Sequence, residues 1–148
     1  GDHRDLHLSI RRQRQMCIRD RNNDLTIQTA GTGVIVLDDA YTNTQSNTVT
    51  HTGSSLQQPL DEFVAATYRG GKYLISMSDS TNSRYETAEV WITHNGTTPF
   101  IQSTGVSTSG TSMATFTADI SNSNVRLLIV PQSSDSVTYK FTRTLIAV

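Results

Sequence analysis

Chemistry needs acids, bases, nucleophiles or metal ligands at workable spacing, and from Asn22 to Val148 such groups are sparse. Two pairs of adjacent carboxylates occur, Asp38-Asp39 and Asp61-Glu62. Neighbours on an extended chain point to opposite faces, so neither pair is preassembled for general acid/base work. Glycosidase-type catalysis needs two carboxyls facing each other across a cleft, and both pairs read instead as solvated turn residues. The stretch LDDAYTNTQSN (37–47) has oxygen ligands without the spacing of a calcium loop. His51 and His94 share no metal-ligand spacing. His94, beside Asn95-Gly96, reads as an exposed turn residue. No nucleophile elbow accompanies the serines, and the glycines of TAGTG (29–33) and YRGGKY (68–73) open no helix that could cradle a phosphate. The residues therefore point to no catalytic set, no cofactor and no metal, and the expectation is a protein that is not an enzyme.

Trp91 is the exception to this blandness. In YETAEVWITHNG (85–96) it alternates out of phase with Ala88, Val90 and Ile92 and falls on one face with Glu89 and Thr93. An exposed Trp among polar groups can stack on a sugar ring, and Tyr85 has the same parity. Trp91, Tyr85 and Glu89 are thus candidate contacts for a glycan. The plainer role for such a face is contact with a second sheet or with another subunit.

The elements that would position these residues are strands. Serine and threonine make up nearly a third of the chain from Asn22 onward, and short β-branched or aromatic runs alternate with polar turn clusters. DLTIQTAGTGVIVL (24–37) reads as strand, turn at Ala30–Gly33, strand. The polar stretch 38–59 reads as a long connection with one strand near Thr48–Thr52. Further strands are expected with Tyr73, Ile75 and Met77 on one face, with Ala88, Val90 and Ile92 on one face, and at 99–103 after the Asn95-Gly96 hairpin signal. Ala114, Phe116, Ala118 and Ile120 alternate with polar residues. VRLLIV (125–130) reads as a central strand, and Val137, Tyr139 and Phe141 define a closing one. This pattern predicts an all-β fold, an antiparallel β-sandwich or jelly roll over 60–148, preceded by an upstream β-hairpin and linker over 22–59.

Charge divides the chain differently. Residues 1–21 carry six Arg against three Asp, whereas the rest has six basic against ten acidic side chains. An acidic body offers no clustered cations for nucleic acid. No apolar run reaches the eighteen or so residues of a membrane helix, so no membrane insertion is expected. The basic opening also holds the single cysteine, Cys17. With Asp2, Asp5 and Asp20 this opening is too acidic for a transit peptide, and its segment RRQRQMCIRDR (11–21) is unlike anything later in the chain. MCIRDR resembles the translation of the end sequence of a transposase-based sequencing adapter. The same frame extends upstream through Arg11–Gln15, an index at Leu8–Ile10 and a flow-cell oligonucleotide at Gly1–His7. The resemblance implies that 1–21 is an adapter-derived artefact, disordered or unpacked, and that the body is the C-terminal part of a longer protein known from metagenome-type sequence assembly.

The body has a second resemblance. It rests on Tyr68-Arg69 with Lys72-Tyr73, the span from Glu89 through His94-Asn95-Gly96, and Phe116 with Asp119-Ile120. NVRLLIVP (124–131), the closing Lys140–Thr144 and the upstream DLTIQTAGTGVIVLDDA (24–40) complete it. In their order and spacing these are similar to a β-rich domain of virion structural and tail-fibre-type proteins of marine tailed phages. The resemblance implies a non-enzymatic structural or host-attachment role on a bacteriophage virion. It implies a homotrimer, with other virion proteins and a host surface glycan as partners, and it transfers no catalytic residue. The other reading is a carbohydrate-binding β-sandwich module of a cellular enzyme or adhesin, which rests on Trp91 and Tyr85.

Overall fold

The structure, a computed structural model, describes residues 36–38, 41–52 and 56–148, all within one compact unit, Gly33–Val148. The adapter-like segment 1–21, the strand expected around Leu25 and Ile27 and the turn at Ala30–Gly33 lie outside the described residues. The described residues form nine strands and no helix: β1 (Val36–Asp38), β2 (Thr42–His51), β3 (Gln58–Val64), β4 (Tyr68–Asp79), β5 (Arg84–His94), β6 (Pro99–Thr108), β7 (Ala114–Ser121), β8 (Asn124–Pro131) and β9 (Val137–Ala147). They make two antiparallel sheets, one of six strands ordered β1-β2-β9-β4-β5-β6 and one of three ordered β3-β8-β7.

Alternation along the strands sets which face is buried. Tyr73, Ile75 and Met77 on β4, Ala88, Val90 and Ile92 on β5, and Val137, Tyr139 and Phe141 on β9 all enter one core cluster. From the smaller sheet Leu60, Phe63, Val125, Leu127 and Ile129 close that cluster, so the two sheets share one core as a β-sandwich does. The return strand expected at 99–103 runs on to Thr108, and β8 is central in its sheet as its apolar run implied.

Two stretches differ from the sequence reading, each for a local reason. The strand expected near Thr48–Thr52 within the connection 38–59 begins at Thr42 and is ten residues long, β2, paired along its whole length with β9. Its inward positions hold Asn43, Gln45 and His51 beside a single apolar residue, Val49, so no apolar period marks it. Strand β3 was hidden by a register shift between Pro59 and Asp61. Leu60 and Phe63 both reach the core although they lie three residues apart, because Leu60 is itself the extra, unpaired residue of the bulge. Proline is tolerated there because β3 is an edge strand.

Candidate functional site

Burial of Ala88, Val90 and Ile92 forces Glu89, Trp91 and Thr93 onto the outer face of the six-stranded sheet. Trp91 is 49% exposed and stands between Lys72 on β4 and Gln102 on β6. The Lys72 ammonium lies 5.1 Å from the indole centroid and 3.0 Å from Glu89 Oε1. A cation on the ring face and its carboxylate partner make Trp91, Lys72 and Glu89 one unit. The structure thus brings Trp91 and Glu89 together through Lys72, whose part was not legible from strand parity alone. Tyr85 shares the face but not the place. It is six residues from Trp91 on a continuous strand, about 20 Å away, so the two rings cannot clamp one sugar.

Other apolar side chains join Trp91. Leu74 lies opposite Glu89, Phe100 opposite Thr93, and Ile146 opposite Gly70, and each is about half exposed. The rest of the face is largely hydroxylic, as in the Thr44–Thr144 and Thr50–Thr138 pairs, each 3.3 Å apart. The apolar group is therefore a patch at one end of a Ser/Thr-rich surface, not a uniform coat. Beside Trp91 the sheet surface dips into a recess of about 510 Å³ over Gly70 and Gly71. Arg69, Thr144 and Ile146 complete its rim. A Cβ on Gly70 would collide with the Ile92 carbonyl, and one on Gly71 would meet the Thr144 carbonyl at 2.6 Å, so close backbone packing requires both glycines.

The carboxylates and histidines serve the scaffold. Asp61, read from sequence as a solvated turn residue, sits on β3 and joins the two sheets. It accepts a hydrogen bond from Tyr73 Oη at 2.9 Å and an ion pair from Arg143, which also donates to Gln45 Oε1 at 2.8 Å. Burial pushes the Asp61 carboxyl above its ordinary range, against the opposing pull of Arg143 and Tyr73. Burial likewise raises the Tyr73 phenol, and the Asp61 charge adds to the rise. Asp79 is fully buried and tied to the β4–β5 turn through Asn82 Nδ2 at 2.8 Å and Arg84 Nη2 at 2.6 Å. Those bonds hold its pKa down to about 2. Glu86 accepts from Met113 N at 2.6 Å and from Ser112 Oγ at 2.9 Å, fixing the crossing between the sheets.

His94 corrects a second expectation, for it is buried and not an exposed turn residue. Nδ1 accepts from the Gly96 amide at 3.0 Å, so Nε2 carries the proton and donates to the Tyr68 carbonyl at 2.7 Å. The even parity of His94 with Ile92 and Val90 was the signal that could have placed it inside. The Asn95-Gly96 turn itself is as expected, with Gly96 at φ +101° and Asn95 Oδ1 accepting from the Thr97 and Thr98 amides. Among the described residues no three His, Cys, Asp or Glu side chains converge in a way that could hold a metal ion, and no helix is long and apolar enough to cross a membrane.

No family model matches the chain, and no curated protein sequence does. Among solved structures it is similar to three tailspikes of phages that infect Acinetobacter. The tailspike protein of Acinetobacter baumannii phage AM24 is 8% identical with a TM-score of 0.41, over 72% of this chain and 26% of that one. Tailspike gp49 of A. baumannii bacteriophage Fri1, a capsular polysaccharide depolymerase, is 11% identical with a TM-score of 0.43, over 78% and 21%. The tailspike of Acinetobacter phage vB_ApiP_P1 is 19% identical with a TM-score of 0.40, over 88% and 25%. The chain spans about a quarter of the length of these tailspikes.

Proposed function

We propose that this chain is a non-enzymatic C-terminal module of a phage fibre-like virion protein. It works by contact, in homotrimer assembly or host-surface attachment, through the outer face of its six-stranded sheet. The observation that carries this reading is the patch of Trp91, Leu74, Phe100 and Ile146, large apolar side chains left about half exposed on one sheet face. The carboxylates support contact over catalysis, since Asp61, Asp79, Asp119 and Glu89 are all taken up by Arg or Lys partners. The resemblance over 24–148 supplies the virion setting.

The test is binding of the full chain to arrayed bacterial capsular polysaccharides and lipopolysaccharides, with sedimentation run in parallel and reducing ends assayed in the supernatant. Saturable binding or self-association without new reducing ends supports the proposal, and release of reducing ends overturns it. The exposed Trp91 also favours a second reading, a carbohydrate-binding module of a cellular enzyme or adhesin. The genes flanking the coding sequence separate the two: tail and baseplate genes for the first, hydrolase domains for the second.

A further inference from the structure

We infer that the recess over Gly70-Gly71 binds an acidic saccharide, a sugar ring bearing a carboxylate. This rests on the reading of the outer face as the contact surface and names the ligand class that its patch would take. The recess is a gap in a filled ladder. Outward-facing side chains stand on both neighbouring strands, Ile146 on β9 and Thr93 on β5, while Gly70 between them supplies bare backbone. A volume of about 510 Å³ lies within the range of small-molecule sites and accommodates a sugar ring.

Ile146 and the part of the Trp91 ring that Lys72 leaves uncovered offer apolar surface to the C–H face of a pyranose. Thr93 and Thr144 also line the recess; the Thr93 hydroxyl donates to the Arg69 carbonyl at 3.2 Å and that of Thr144 pairs with Thr44, each oxygen keeping a lone pair for a sugar hydroxyl. Charge selects among sugars. Lys72 lines the recess too, but its ammonium is already paired with Glu89 at 3.0 Å. Arg69 is exposed at the rim, where its guanidinium donates one long hydrogen bond, from Nη1 to the His94 carbonyl at 3.4 Å. No carboxylate of the described residues lies within ion-pair distance of it. A guanidinium with free donors beside an apolar platform suits a carboxylate, which it can take in bidentate fashion.

Trp91 is the sole tryptophan of the chain, so intrinsic emission reports on this site directly. The full chain is titrated with methyl glucuronide, methyl galacturonide and a methyl sialoside, with methyl glucoside and acetate as neutral-sugar and bare-anion controls. The inference predicts saturable change with at least one acidic glycoside at concentrations on the order of millimolar, about tenfold tighter than the glucoside, a difference of about 1.4 kcal/mol. Arg69→Gln removes that preference while leaving far-UV circular dichroism unchanged. Equal affinity for acidic and neutral sugars, a preference that survives Arg69→Gln, or an acetate response equal to that of the glycosides overturns it. A chain that self-associates through a shielded Trp91 and answers to no sugar also overturns it, while leaving the contact proposal standing.

Discussion

Tyr73→Phe is the most informative single perturbation of the scaffold. Tyr73 is fully buried, and its hydroxyl donates to Asp61 Oδ2 across the gap between the six-stranded and three-stranded sheets. Phenylalanine keeps the ring and its tilted contact with Phe141 at 5.8 Å, so almost no apolar burial is lost. What is lost is one donor to a carboxylate that is only 14% exposed. A hydrogen bond to a charged group contributes about 1.5–3 kcal/mol. At about 4 °C per kcal/mol for a domain of this size, the melting temperature should fall by about 6–12 °C. The pH dependence carries the sharper test. The Asp61 pKa is raised by burial, so its charged form is the one the fold tolerates less, and stability linked to it falls as pH rises through the folded value. Removing the Tyr73 donor makes that charged form costlier still. The deficit of the variant should therefore be full near neutrality and shrink on acidification. The assay is chemical denaturation of both proteins from pH 7 down to pH 4. A deficit below about 0.5 kcal/mol, or one that stays constant across that range, refutes the view that Asp61 is a stressed anion held by Tyr73 and Arg143.

Three further outcomes are expected. Asp79 has a depressed pKa, so its stabilisation is complete above the ordinary carboxylate range and is lost as pH falls towards about 2; Asp79→Asn should be less stable at pH 7, with the two acid-denaturation curves converging towards that pH. His94→Ala leaves the Tyr68 carbonyl and the Gly96 amide without their partner, and two such groups should cost about 2–4 kcal/mol in denaturant titration. The β7–β8 turn places Asn122 at φ 51° and Ser123 at φ 66°, so Ser123→Gly should raise stability by about 1 kcal/mol by relieving a left-handed non-glycine residue.

What the sequence revealed follows the physics of each strand. Strands β4, β5, β8 and β9 were legible because every second residue faces inward and most of these are apolar, or, for β8, because both faces are largely so. Strand β2 was legible only at its end, near Thr48–Thr52, because polar side chains occupy most of its inward positions and hydrogen bonding to Arg143 replaces apolar burial at Gln45. Strand β3 was not, because its bulge turns a two-residue period into three. The outward placement of Trp91 and Glu89 came from the same parity rule. Parity says nothing of distance along a strand, which is why Tyr85 was grouped with Trp91, nor of neighbours on other strands. Lys72, Ile146 and the Gly70-Gly71 recess become visible only once β4 and β9 are set in register beside β5.

The central claim is that this molecule acts through the outer face of its six-stranded sheet. The most direct measurement is hydroxyl-radical footprinting of the full chain, free and then engaged, whether with its own copies or with the polysaccharide that captures it. Protection of Trp91, Leu74, Phe100 and Ile146, with Phe116 and Tyr68 unchanged, is the predicted result. Protection confined to the three-stranded sheet, with Trp91 as reactive as in the free chain, would contradict it.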